Sequence, residues 1–190
     1  MSATATAVTP PTATRKITIA TTWLDGCSGC HMSFLDMDER LVDLADQIDI
    51  VYSPLVDAKT LPEQVDLGIL EGSISNEEDL HKALEFRKHC RLLISLGDCA
   101  VNGNVPAIRN PFKLSDVYDR AYRDNVDLNP QIPADGVPAL LPIVRPVHGV
   151  VDIDVFVPGC PPQADTIFYI LSELIAGRTP DAKTITRFGA

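Results

Sequence analysis

No stretch of this 190-residue sequence approaches the ~20 consecutive apolar residues that a helical membrane span needs. The N-terminus lacks a basic patch followed by an apolar run, and there is no twin-arginine segment. No export signal is therefore read, and a cytoplasmic location is expected. Basic residues are scarce: 16 Lys and Arg stand against 26 Asp and Glu, a formal net charge of −10. An acidic surface of this kind argues against nucleic acid or an anionic membrane as partner. There is no internal repeat and no G-x-G-x-x-G fingerprint, so any nucleotide acceptor is chosen elsewhere. An even cysteine count is also missing. Five cysteines do not make the paired framework of a secreted disulfide protein. In a reducing compartment, clustered cysteines bind metal or do redox chemistry more often than they form disulfides.

What is present is a globular chain. Apolar residues make up 45%, enough in 190 residues for one domain with a real core. Residues 1–14 read MSATATAVTPPTAT, without periodicity, so the division expected is a flexible arm at 1–15 and a single domain over 16–190. From Lys16 the pattern alternates. KITIATTW (16–23), IDIVYSPLVD (48–57), VDLGILEG (65–72), RLLISLGDC (91–99) and VDIDVFVPGC (151–160) read as strands. Residues 32–47, 76–90 and 163–177 read as helices, with Asn76 as an N-cap and Gly177 as a stop. An insertion at about 102–150 holds seven of the 15 prolines. It is expected to lie across the top of the sheet, with a short helix near Leu114–Arg123. Alternation of this kind predicts an α/β, doubly wound parallel sheet, whose ligand site lies beyond the carboxyl ends of the strands.

Four cysteines fall on that edge. Cys27 and Cys30 follow the first strand, Cys99 the fourth and Cys160 the fifth, while Glu71 ends the third. Cys90 precedes the fourth strand and is placed on the order of 20 Å away, at the opposite edge, as a small buried hydrophobe. Four thiolates suit an iron–sulfur cluster or a structural zinc. The CxxC by itself also suits a thioredoxin-like dithiol, a reading that leaves Cys99 and Cys160 unused. Backbone amides at Gly26, Gly29, Gly97 and Gly159 are candidate donors to cluster sulfurs.

WLDGCSGCHMSFLDMDE (23–39), EGSIS (71–75), GDCAVNGNVP (97–106) and VPGCPPQAD (157–165) together resemble the small subunit of nickel–iron hydrogenases. The resemblance spans residues 16–177. It implies a flavodoxin-like domain whose Cys27, Cys30, Cys99 and Cys160 hold one proximal [4Fe–4S] cluster; Cys90 has no counterpart in the motif. The short form and LDGCSGCHMSFLDMDE look most like the soluble NAD-reducing branch. Membrane-bound and periplasmic relatives add a cysteine-rich C-terminal part, and F420-linked archaeal relatives often carry further cysteines. The related quinone-reductase subunit of respiratory complex I has adjacent cysteines where Ser28 and Gly29 intervene here.

The resemblance further implies a partner large subunit with the nickel–iron centre and iron–sulfur and flavin-bearing diaphorase subunits beyond. This chain is then an electron relay with no acid–base catalyst of its own. NADP⁺, F420 or ferredoxin as acceptor, or a complex I-like quinone reductase, stay open, as does a stand-alone flavin or thiol protein. FMN on this chain is not expected, because CSGC replaces a phosphate cradle in the first loop. Glu71 reads as a solvated or capping carboxylate, or else as a polar contact near the cluster or in a proton path. Asp25 and Asp98 read as turn formers bonding their own backbone. His31 reads as a helix-start residue or a cluster or interface contact, and Trp23 and Phe34 as packing that excludes water. Asn102, Asn104 and Arg109 read as pins to the large subunit.

Overall fold

The computed structural model describes residues 15–189, so the expected N-terminal arm, Arg15 apart, lies outside the described residues. In chain order the strands are β1 (Ile17–Trp23), β2 (Ile48–Tyr52), β3 (Val65–Glu71), β4 (Ile74–Asn76), β5 (Cys90–Leu96), β6 (Leu140–Arg145) and β7 (Val155–Val157). The helices are α1 (Gly29–Leu35), α2 (Glu39–Leu44), α3 (Glu77–His89), α4 (Asp98–Asn102), α5 (Leu114–Asp119), α6 (Ala164–Ile175) and α7 (Ala182–Ile185). Five strands make one sheet in the order β2-β1-β3-β5-β7, and every pairing in it is parallel. This is the flavodoxin-like doubly wound topology, whose direction of winding reverses between β1 and β3.

Apolar alternation divides the core between the two faces. On one face Ile19, Leu67, Ile69, Ile94, Leu96 and Val157 pack under Phe34 and Met37 and under Ile167, Ile170 and Leu171 of α6. On the other, Ala20, Leu70 and Leu93 pack under Ala83 and Phe86 of α3 and under Ala100, Val147 and Val151. Every residue of β3 is buried, because both of its faces are covered, and apart from Asp66 and Glu71 it lacks the polar alternation of a half-exposed strand. Helix α3 starts as its sequence demands: Asn76 accepts from the Asp79 N–H, and the Asp79 carboxylate accepts from the Asn76 N–H, a reciprocal capping box.

Several boundaries differ from expectation. The helix expected over 32–47 is two, broken at Asp36–Asp38, where Asp38 takes φ +50° and the chain swings Met37 into the core. The strand expected over 48–57 ends at Tyr52, where the Ser53 hydroxyl turns the chain by accepting the Leu55 N–H just past Pro54. The strand expected over 151–160 keeps only Val155–Val157, since Val151 and Ile153 instead pack into the second core. The Pro-rich insertion contains the expected short helix, α5, and also β6, which pairs antiparallel with β4 in a two-stranded ribbon. Pro142 within β6 hid this strand. No described helix is long and apolar enough to cross a membrane.

Candidate metal centre

The loop after β1 and the turn after β3 meet at the point where the winding reverses. Asp25 and Ser73 exchange backbone hydrogen bonds there, at 3.1 and 2.7 Å. Gly72 makes the crossing close: it holds φ +88°, and a Cβ would come within 2.7 Å of the Leu24 carbonyl carbon. Ser28 enters α1 in the left-handed region, and its side chain offers no cap. Glu71 supplies the cap instead. Its two oxygens accept the N–H groups of Cys30 at 3.0 Å and His31 at 2.9 Å, placing a carboxylate at the positive end of α1. Glu71 is only 2% exposed, so it caps but is not solvated. The carboxylate also meets Nδ1 of the equally buried His31. Nε2 of His31 meets the Thr21 hydroxyl at 2.9 Å, and that hydroxyl donates to Ser53 at 2.9 Å.

The other two cysteine loops are tied to this frame and to each other. Gly97 N–H donates to the Val157 carbonyl and Asp98 N–H to the Gly159 carbonyl, both at 2.8 Å, extending the β5–β7 ladder past the strand ends. The Asp98 carboxylate accepts the Gly159 N–H at 2.7 Å, so it spans two loops and does not cap its own backbone as expected. Ser33, one turn along α1 from Cys30, donates to the Pro162 carbonyl. Asn104 donates its side-chain amide to the Cys160 sulfur at 3.4 Å.

Cys27, Cys30, Cys99 and Cys160 therefore share one edge, and Cys90 begins β5 at the other. Their accessibility is graded: Cys27 and Cys160 are exposed, Cys99 is half-buried and Cys30 is buried. Burial pushes the Cys30 thiol up, and the charges of Glu71, Cys99 and Cys27 push it further. Burial also raises Cys99, helped by Cys160 and Cys27 and opposed by the Val105 N–H and the Asn104 amide. These influences place Cys30 and Cys99 within electrostatic reach of the other thiols and make those two costly to ionise without a bound cation. Space is left for them: a Cβ on Gly97, at φ +83°, would overlap the Cys30 sulfur, and one on Gly29 would sit 3.2 Å from that of Cys27. Among the described residues, no three His, Cys, Asp or Glu side chains are gathered tightly enough to hold a single metal ion. A lone zinc needs its sulfurs at about 2.3 Å from one centre. The donor set is all thiol and is drawn from three separate strand-to-helix connections, a chemistry that suits an iron–sulfur group.

Several side chains do something other than expected. Gly97 and Gly159 use their N–H groups within the chain, so neither is free to face a sulfur as it stands. Trp23 is 41% exposed and touches the His31 ring edge-on, whereas Phe34 is buried in the core as expected. Arg109 donates within the chain to the carbonyls of Ser75, Leu141 and Pro142, and so pins its loop to the β4–β6 ribbon. Asn102 accepts from the Asn104 N–H. Ser33, Thr21 and Ser53 carry no motif, and only their spatial partners reveal them.

By fold and site the chain is a doubly wound α/β domain with four thiols beyond its strand ends. Comparison narrows it. Residues 27–174 match the family model described as "NADH ubiquinone oxidoreductase, 20 Kd subunit". The delta subunit of the NAD-reducing hydrogenase HoxS of Cupriavidus necator is 44% identical over 171 residues, covering 87% of this chain and 82% of that one. A subunit of the F420-non-reducing hydrogenase of Methanothermobacter marburgensis is 39% identical over 168 residues, covering 85% of this chain. This chain spans only 54% of that longer relative. A crystal structure of an NAD⁺-reducing [NiFe]-hydrogenase in its H₂-reduced state contains a chain with a TM-score of 0.87 at 39% identity, matched over 92% of this chain and 99% of that one. A [NiFeSe]-hydrogenase chain from Dm. baculatum, 16% identical with a TM-score of 0.56, shares the fold. The chain belongs to the 20 Kd subunit family of NADH ubiquinone oxidoreductase and, within it, to the small subunits of NAD-reducing [NiFe]-hydrogenases and their relatives.

Proposed function

We propose that this chain is the electron-relay small subunit of a soluble, cytoplasmic [NiFe]-hydrogenase. It passes electrons from H₂ oxidation in a large subunit through one [4Fe–4S] cluster toward a flavin- and NAD-reducing module. The observation that carries this is the convergence of Cys27, Cys30, Cys99 and Cys160 on one sheet edge from three separate loops. When bound, the cluster supplies a one-electron carrier.

The chain's own residues supply position and environment. The four thiolates hold the iron, and Glu71, Asp98 and Ser33 set the relative positions of the loops that bear them. Burial of Cys30 and the packing of Phe34 keep water from the inner side. Val105, Ile108 and Phe112 are all largely exposed, beside the Asn104 that touches Cys160. An apolar patch at the rim of the cysteine edge supports a large subunit docking there, close enough to receive electrons. The separated cysteines of CSGC favour the hydrogenase branch over a quinone reductase of complex I type.

Co-purification of the chain from its host tests this. Nickel in the complex, about four irons on the chain and H₂-dependent reduction of NAD⁺ are expected. Reduction of a viologen without NAD⁺ would keep the hydrogenase and move the acceptor. Zinc without nickel or labile sulfide would overturn the reading.

A further inference from the structure

Asp98 stands out among the groups around the cysteine edge because three bonds converge on it from different parts of the chain. It is buried, at 4% exposure, although it opens a five-residue helix whose far side is open. One carboxylate oxygen takes the Gly159 N–H and the other takes the Gly189 N–H, each at 2.7 Å, while its own N–H donates back to Gly159. Asp98 immediately precedes Cys99, and Gly159 immediately precedes Cys160. One side chain thus couples the two lone cysteines, which are 61 residues apart in sequence as measured between their clasped neighbours.

We propose that Asp98 is a positioning residue for the cluster, and that its carboxylate also lowers the cluster's reduction potential. The proposal rests on the cluster assignment above. The two-way exchange between Asp98 and Gly159 fixes how far the Cys99 and Cys160 loops stand apart. The carboxylate belongs to the residue before Cys99 and is bonded to the residue before Cys160, and a negative charge held between those two loops disfavours adding an electron to a group they carry. It also holds the Gly159 N–H away from the sulfurs. Losing it frees that donor to stabilise the reduced cluster, so charge and hydrogen bonding act in the same direction.

The test uses the intact complex carrying wild-type chain, Asp98→Asn, Asp98→Ala, or Glu63→Gln. Glu63 is exposed and lies two residues before β3, so its variant makes the same charge change at the opposite edge. Iron, labile sulfide and the EPR-monitored redox titration of the cluster are measured, with circular dichroism and melting of the chain alongside. Asp98→Asn keeps an oxygen for Gly159. It should retain its iron, yet at a fixed solution potential its ratio of reduced to oxidised cluster should rise about tenfold, or 59 mV for one electron. Asp98→Ala should lose part of its iron and show an altered EPR signal, while Glu63→Gln stays with wild type. The proposal is overturned if Asp98→Asn titrates with wild type and Glu63→Gln. It is equally overturned if both Asp98 variants lose iron only together with the native circular dichroism and melting of the chain. Wild-type chain without a cluster would instead remove the functional reading on which the proposal stands.

Discussion

The two ends of the central sheet both carry cysteine, and they treat it in opposite ways. At the carboxyl edge, four thiols stand on strand-end loops and the first turns of α1 and α4, segments fastened by polar bonds between distant parts of the chain: Glu71 to α1, Asp98 to Gly159, Ser33 to Pro162. At the amino edge, Cys90 is packed as a hydrophobe. A Cβ on Gly68 would stand 2.7 Å from its sulfur and 2.5 Å from Leu93. Burial pushes the Cys90 thiol up to about 12, against a small opposing effect from Arg87. The contrast teaches that what makes a thiol available to metal in this fold is which strand end it leaves from. Beyond the carboxyl ends, loops cross the winding reversal and leave room. Before the amino ends, the chain enters the core directly.

The largest expected break of this contrast comes from the thiols themselves. Any one of Cys27, Cys30, Cys99 and Cys160 changed to Ala should lose or convert the cluster, whereas Cys90→Ala should keep about four irons per chain. Iron analysis of the five purified variants decides it, and iron loss in Cys90→Ala alone would reverse the assignment of edges.

Next in size is Gly68→Ala, which forces a methyl into Leu93 and Cys90 and should cost about 1–3 kcal/mol in urea unfolding. Adding Cys90→Ala should recover part of that loss, because it removes one of the two clashing groups. A double variant no more stable than Gly68→Ala alone would assign the cost to Leu93.

Thiol chemistry sharpens the comparison without mutation. In the metal-free chain, iodoacetamide should label Cys27 and Cys160 quickly at pH 8, with Cys90 labelled only on unfolding, as peptide mass mapping would reveal. The folded chain holds the Cys90 proton more tightly than the unfolded one. Its contribution to stability is therefore complete below the unfolded thiol value and lost as pH rises toward about 12. Stability of wild type should accordingly fall faster than that of Cys90→Ala on the alkaline side.

The smallest effect belongs to Asp66 at the amino edge. Burial works to raise its pKa, but the Arg15 guanidinium and the N–H and hydroxyl of Thr18 outweigh this and hold the carboxyl below the usual range. A depressed value stabilises the fold above the unfolded carboxylate value and is lost as pH falls through the folded one. Asp66→Asn should thus be slightly less stable than wild type at neutral pH, and the difference should vanish in strong acid. A difference that persists at low pH would point to packing as its cause.

Sequence reasoning reached the parallel sheet and the placement of the cysteines because apolar runs bounded by glycine turns follow from local chemistry. The β1, β3 and β5 segments are rich in apolar and β-branched residues, and each runs into a Gly-bearing turn. It placed α3 because Asn76 reads as an N-cap ahead of a helical stretch, whereas the reciprocal bond to Asp79 emerged only in the structure. It missed the break at Asp36–Asp38, since a helical stripe continues through it in register while only the demand to bury Met37 turns the chain. It missed β6, since Pro142 reads as a strand breaker unless a partner, here β4, leaves its missing N–H at an edge.

The residues that could hold a cluster were thus determined by sequence alone: four cysteines after apolar strands, with a fifth before one. So was the acidic balance of the chain. Which polar side chains serve those cysteines was decided only by the tertiary structure. Glu71 was legible as a carboxylate near a turn, but its lodging against Cys30 and His31 depends on β1 and β3 lying side by side. Asp98 was legible as a turn former, but its grip on Gly159 depends on β5 and β7 being neighbours. The physical reason is range. Strand and helix preferences act within a few residues, whereas a buried carboxylate finds its donors among whatever backbone groups the sheet order brings to it, 40 or 61 residues away.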